Sequence, residues 1–166
     1  MNTLWARTLL AIYPRLPDIC KGIDRECWNQ GLGEYYNRNY SYRQDTIFNI
    51  LIELNERKVR YINIRILVDD CLNSMPQKFS SILEDKYIFE KSTDEISFSH
   101  NISKRTVFRR LNDALEMFSR IIVVFGFTDE VLNKKFLCDY LVGAEYVRQK
   151  HIMEDENHCK QRRGGE

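Results

Sequence analysis

Apolar residues return every three to four positions along most of this chain, a period that predicts helices rather than strands. Residues 3–13 place Leu4, Leu9 and Ile12 beside Trp5 and fit an amphipathic helix that stops before Pro14. Leu16, Pro17 and Asp18 restart the chain. Ile19, Ile23, Cys27 and Trp28 then form a second stripe that closes at Gly31 and Gly33, and the two helices are expected to pair as a hairpin. Residues 34–43 keep no period and read as a connection. Residues 45–56 predict a helix with Phe48, Leu51 and Ile52 turned inward. Residues 57–75 fit two templates. Ile62, Ile64, Ile66 and Val68 alternate as in a strand, whereas Val59, Ile62, Ile66 and Leu67 suit a helix. A lone strand would find no partner elsewhere in the chain, so the segment is read as helix.

Pro76 suits the first position of a further helix reaching about residue 90, with Phe79, Ile82, Leu83, Tyr87 and Phe89 on its apolar side. Beyond Gly126, Thr128 is a predicted N-cap for a long helix to about residue 152, carrying Val131, Leu132, Phe136, Leu137, Tyr140 and Leu141. From residue 154 the chain loses hydrophobicity and is expected to be disordered.

Between these lies the stretch 92–120, which reads as a short helix, a tight turn at Asn101-Ile102 and a longer helix. Thr93 is the predicted N-cap of the short helix. Ile96 stands where a capping box needs Glu or Gln, so the box is expected to be incomplete. Ser103 is the predicted cap of the longer helix, where Val107, Leu111, Ala114 and Phe118 share one face. The opposite face carries Arg105, Arg109, Asn112 and Glu116, with Thr106, Arg110 and Asp113 at its shoulder. The expected architecture is all-α, a multi-helix protein with a central helix-turn-helix and a long C-terminal helix. Its expected parts are an N-terminal helical region at 1–75, the helix-turn-helix at 76–125, a helix at 126–153 and a disordered tail at 154–166.

The segment 76–120 resembles region four of bacterial sigma factors and the phage and firmicute regulators built on that module. The matching residues are Tyr87, then Glu95-Ile96-Ser97, Ile102-Ser103, Thr106-Val107, Arg109 and Ala114-Leu115. Two positions depart from the pattern. His100 replaces an apolar residue that closes the first helix, a role Phe98 is expected to share, and Asn101 replaces a turn glycine. Asn is the least costly non-Gly residue at positive φ, so the turn is expected to survive. The resemblance implies a bacterial or phage transcription regulator that binds double-stranded DNA and touches RNA polymerase. No recognisable sigma region two precedes the segment, so a regulator is favoured over a complete sigma factor. The N-terminal helices would then serve a partner or a homodimer.

Physical reasoning points the same way. A recognition helix meets base edges with its first turns, and its N-terminal N–H groups favour phosphate. Arg105 and Arg109, one turn apart, can reach guanine edges, with Asn112 beyond them on the same face. Ser103, Lys104 and Thr106 suit phosphates, and Arg110 adds a fourth cation to Lys104, Arg105 and Arg109. From Lys104 to Arg120 five cations face two carboxylates, Asp113 and Glu116. This local excess matters because the net charge of the 166-residue chain is only +1, too little for a global field to attract nucleic acid.

Other features carry less. Arg57, Lys58, Arg60 and Arg65 read as a solvated helix face, and the tyrosines of 34–43 as packing residues rather than base-stacking ones. Apolar residues at 43% and charged ones at 30% fit an ordinary globular protein. Five cysteines without a CxxC pair suggest reduced thiols in the cytoplasm. The N-terminal apolar run, interrupted by Arg7 and followed by Pro14 and Pro17, does not read as a signal peptide. No run is long enough for a membrane span. His151, His158 and Cys159 lack a fourth ligand, so no metal is expected, nor any other cofactor. Gly-rich phosphate loops and the HExxH and GxSxG motifs are absent, and Asp69-Asp70 reads as a polar helix face, so no catalytic residues are expected. Two alternatives remain: a helical protein–protein interaction module without DNA binding, and a phage DNA-packaging small subunit.

Overall fold

The computed structural model describes residues 3–35 and 42–163, with side chains at 3–31, 46–156 and 158. Among the described residues every regular element is a helix. They are α1 (Leu4–Ile12), α2 (Leu16–Tyr35), α3 (Tyr42–Asn73), α4 (Gln77–Leu83), α5 (Thr93–Ser99), α6 (Lys104–Val124), α7 (Asp129–Phe136) and α8 (Tyr140–Arg163). The all-α architecture expected from the periodicity is the one observed, and 57–73 is helical as read. The centre of the predicted connection, 36–41, lies outside the described residues.

The chain divides into two compact units, one of Met1–Pro14 with Leu67–Glu166 and the other of Arg15–Ile66. The larger unit holds α1, the end of α3 and α4 to α8, and the smaller one α2 and most of α3. Leu4, Trp5, Ala6, Thr8, Leu9, Leu10 and Ile12 are all buried, so α1 is covered nearly all round rather than along one stripe. It lies against α8 and α6. Trp5 donates its indole N–H to Asn133 Oδ1 at 3.0 Å and tilts against Tyr146 with ring centroids 4.8 Å apart. A large apolar ring is thus buried with its polar atom satisfied.

The core of this larger unit follows α6, whose Val107, Leu111, Ala114, Leu115, Phe118 and Ile122 are buried. Helices α1, α4 and α5 all pack on it. Downstream, the single C-terminal helix expected from Thr128 is two helices. Thr128 caps α7 as predicted, accepting from the Val131 N–H. Asp139 then starts α8, its Oδ1 accepting from the N–H groups of Leu141 at 3.0 Å and Val142 at 3.3 Å. The break also needs Gly143, because a Cβ there would stand 3.0 Å from the Leu137 carbonyl oxygen. Nor does order end at 153. Helix α8 continues to Arg163, and Glu156 accepts two bonds from the Arg7 guanidinium of α1, at 3.0 and 3.2 Å.

In the smaller unit Leu16 and Ile23 of α2 and Leu54, Tyr61 and Ile64 of α3 are buried. Lys58 of α3 pairs with Asp24 of α2 at 2.5 Å, and Arg57 lies over the Tyr61 ring at 6.0 Å. Helix α2 runs through Gly31 to Tyr35 rather than closing at the glycines. Phe48 and Ile52, expected inward, are 65% and 42% exposed.

Two phenylalanines on α6 test this account. Phe118→Ala, at a fully buried site, should cost ~3–5 kcal/mol in urea unfolding, and Phe108→Ala, at an exposed one, less than ~0.5 kcal/mol. Equal losses would mean that α6 does not bury the face described.

Candidate nucleic-acid interface

The approach to the helix-turn-helix is not the straight helix expected to reach residue 90. Helix α4 ends at Leu83, and Glu84–Ile88 form a wider π turn in which the Phe89 N–H reaches back five residues to the Glu84 carbonyl at 2.9 Å. Glu90 follows at φ +51°, in the left-handed region. Phe89 is therefore exposed, while Tyr87 stays half-buried, and that burial pushes its hydroxyl pKa up.

The π turn also aims Asp85 inward. Its carboxylate accepts from Lys91 Nζ at 2.7 Å and sits 2.9 Å from His100 Nε2. Burial pushes this carboxyl pKa up, but the bonds and charges of Lys91 and His100 outweigh it and hold the group below the usual range. His100 thus fills the apolar position of the resemblance by pairing, not by packing. Phe98 takes no share of that role and is 90% exposed.

Helix α5 starts one residue earlier than expected. Ser92, not Thr93, is the N-cap, and Glu95 stands three residues on. The Ser92 hydroxyl accepts from the Glu95 N–H at 3.3 Å, and Glu95 Oε2 accepts from the Ser92 N–H at 2.7 Å, so the capping box is complete. These bonds hold the Glu95 carboxyl pKa below its ordinary value.

The turn then follows from Asn101. With Asn101 at φ +50°, the Ile102 N–H reaches the Ser97 carbonyl at 3.1 Å and the Asn101 N–H reaches that of Phe98 at 3.2 Å. This six-to-one and five-to-two pair is the Schellman closure of a helix end. Ser97 Oγ adds a bond to the Ile102 carbonyl at 2.5 Å. The chain leaves the turn at Ser103, which caps α6 as predicted by accepting from the Thr106 N–H at 3.2 Å.

The seven candidate residues therefore gather on the first turns of one helix in unequal settings. Arg105, Arg109 and Asn112 are exposed, opposite the buried face. Arg110 is half-buried at the shoulder. Ser103 and Thr106 bond each other, with Oγ and Oγ1 2.9 Å apart, and Ser103 also serves as the cap. Lys104 pairs with Asp94 of α5 at 2.5 Å, both largely exposed. Sequence reasoning passed over Phe108. It is 58% exposed, three residues beyond Arg105 and four before Asn112, so it borders the open face. Its misfit to the Val107-Leu111-Ala114-Phe118 period was the available signal. An exposed aromatic there can meet a thymine methyl group.

Elsewhere the chemistry is quiet. The buried Cys71 thiol is pushed up to about 12, chiefly by burial, which leaves no thiolate to attack at neutral pH. Asp69 accepts from the Tyr13 hydroxyl at 2.5 Å. A cavity of about 380 Å³ is lined by Trp5, Ser119, Ile122, Phe127 and Leu132, with Asp129 and Glu130 beside them and no His, Cys or Lys. Among the described residues no group of three or more potential metal ligands occurs, and no helix is long and apolar enough to cross a membrane. No family model, curated protein or solved structure compared with the chain matches it.

The Asp85 geometry predicts a pH dependence. A carboxyl with a depressed folded pKa contributes stability that is present above its unfolded value and lost as pH falls through the folded one. Asp85→Asn should cost ~1.5–3 kcal/mol at pH 7, and the gap to the native chain should close in urea titrations as pH falls below the ordinary carboxyl range. A gap of constant size across that range would refute the coupling.

Proposed function

We propose that this chain is a sequence-specific DNA-binding transcription regulator whose α5–turn–α6 segment acts as a sigma region four-like helix-turn-helix. The observation that carries the reading is the first half of α6, where Arg105, Arg109 and Asn112 stand uncovered one turn apart while the opposite face is buried. In this reading Arg105 and Arg109 meet guanine edges, Asn112 meets a further base, and Ser103, Thr106 and Arg110 lie against phosphates. Lys104 reaches phosphate by exchanging Asp94 for it. The resemblance extends the proposal to RNA polymerase, and no catalytic step is assigned.

A second reading, a helical module that binds another protein, draws support from Phe98 and Phe108, two large exposed aromatics beside the same turn. Aromatic anchors of this kind mark protein interfaces.

Selection of bound fragments from random DNA, followed by anisotropy titrations, separates the two. A recovered consensus, with affinity falling steeply between about 50 and 200 mM salt, is the expected result. Arg105→Ala and Arg109→Ala should each remove ~1–3 kcal/mol of discrimination at one base position while leaving most non-specific affinity. No binding to any fragment at the lower salt rules out the regulator and leaves the protein-binding module.

A further inference from the structure

Helix α3 carries two apolar stripes, and among the described residues of Arg15–Ile66 only one of them is covered. Leu54, Tyr61 and Ile64 are buried, whereas Phe48, Ile52, Val59, Ile62 and Ile66 are exposed, each by 41% or more. The exposed set is not scattered. With the exposed Asn55 it follows steps of four, three, four, three and four residues, the heptad spacing of a coiled-coil seam. Ile52, Val59 and Ile66 fall at the a positions and Phe48, Asn55 and Ile62 at the d positions. The seam spans about 27 Å at 1.5 Å per residue. Its apolar side chains expose roughly 450 Å² per copy, the size of the largest apolar patch on a typical monomer, which is often functional.

We propose that this seam pairs with the same seam of a second copy of the chain, as a parallel, in-register two-stranded coiled coil. Two features select that occupant. Every a position is β-branched, one half of the pattern that suits two parallel strands; Phe48 and Ile62 stand where that pattern has Leu. Asn55, the one polar residue within the seam, meets its own counterpart only in register, where each amide can donate to and accept from the other. Antiparallel pairing would set it against a β-branched a residue and leave the amide unsatisfied. Two such surfaces together bury about 900 Å² before flanking residues are counted, approaching the ~1,200 Å² of a small specific interface.

The inference does not rest on DNA binding, and its readout contains no DNA. Sedimentation equilibrium of the full chain between about 1 and 50 µM should give twice the 19.9 kDa monomer mass. Ile62→Glu, at an exposed position, should give a monomer of unchanged helical circular dichroism. Asn55→Leu should tighten association at least ten-fold, because the amide no longer has to be buried. A native monomer at 50 µM overturns the proposal, including one that instead captures a different helical protein. So does a dimer whose dissociation constant neither substitution changes, since it would form elsewhere.

Discussion

Helix α6 lives in two environments at once, and the larger unit is arranged around that division. From Val107 to Ile122 one face stays buried along about 22 Å, and α1, α4 and α5 all rest on it. The opposite face of its first turns is left bare and basic. Neither requirement can be met by a short helix. Burial needs the full length, and the exposed cations need the far side of the N-terminal turns to stay uncovered. Both the helix before it and α6 itself end in Schellman closures, at Asn101 and at Gly126 with φ +85°.

Beside the fully buried Ile96, polar contacts hold α5 ahead of α6. The π turn brings Asp85 under His100, Lys91 completes the pair of partners, and Ser97 ties down the carbonyl of Ile102. An apolar closing residue would do this by packing alone. Here a carboxylate is taken largely out of water, and that is tolerable because two donors meet it. The result specifies one geometry for the turn, since a shifted α5 would leave Asp85 buried with fewer partners.

The helical faces were legible wherever a single seam exists. Val107, Leu111, Ala114 and Phe118 declared the buried side of α6, and Ser103 and Thr128 declared their caps. Legibility failed where two answers have the same local chemistry. Ser92 and Thr93 can both cap, and only the Glu95 partner distinguishes them. The two stripes of α3 are equally apolar, so periodicity cannot say which one its own chain covers. It also failed where distant residues decide. Arg7, 149 residues away, reaches Glu156 of α8, and Gly143 leaves room for the Leu137 carbonyl where α7 gives way to α8. The exposure of Arg105, Arg109 and Asn112 on one face of α6 was readable in sequence, but the Asp94 carboxylate paired with Lys104 was not.

If α6 meets a polyanion as proposed, that carboxylate alters the ion accounting. A lysine with no partner takes up a phosphate, and the nucleic acid sheds a condensed cation into solution. Lys104 would instead leave Asp94 for phosphate, and Asp94, freed of its partner, would retain a cation of its own near the complex. The net number of ions released would be about one smaller than a count of the basic residues on α6 implies. Four cations on this helix front can thus act, thermodynamically, as about three.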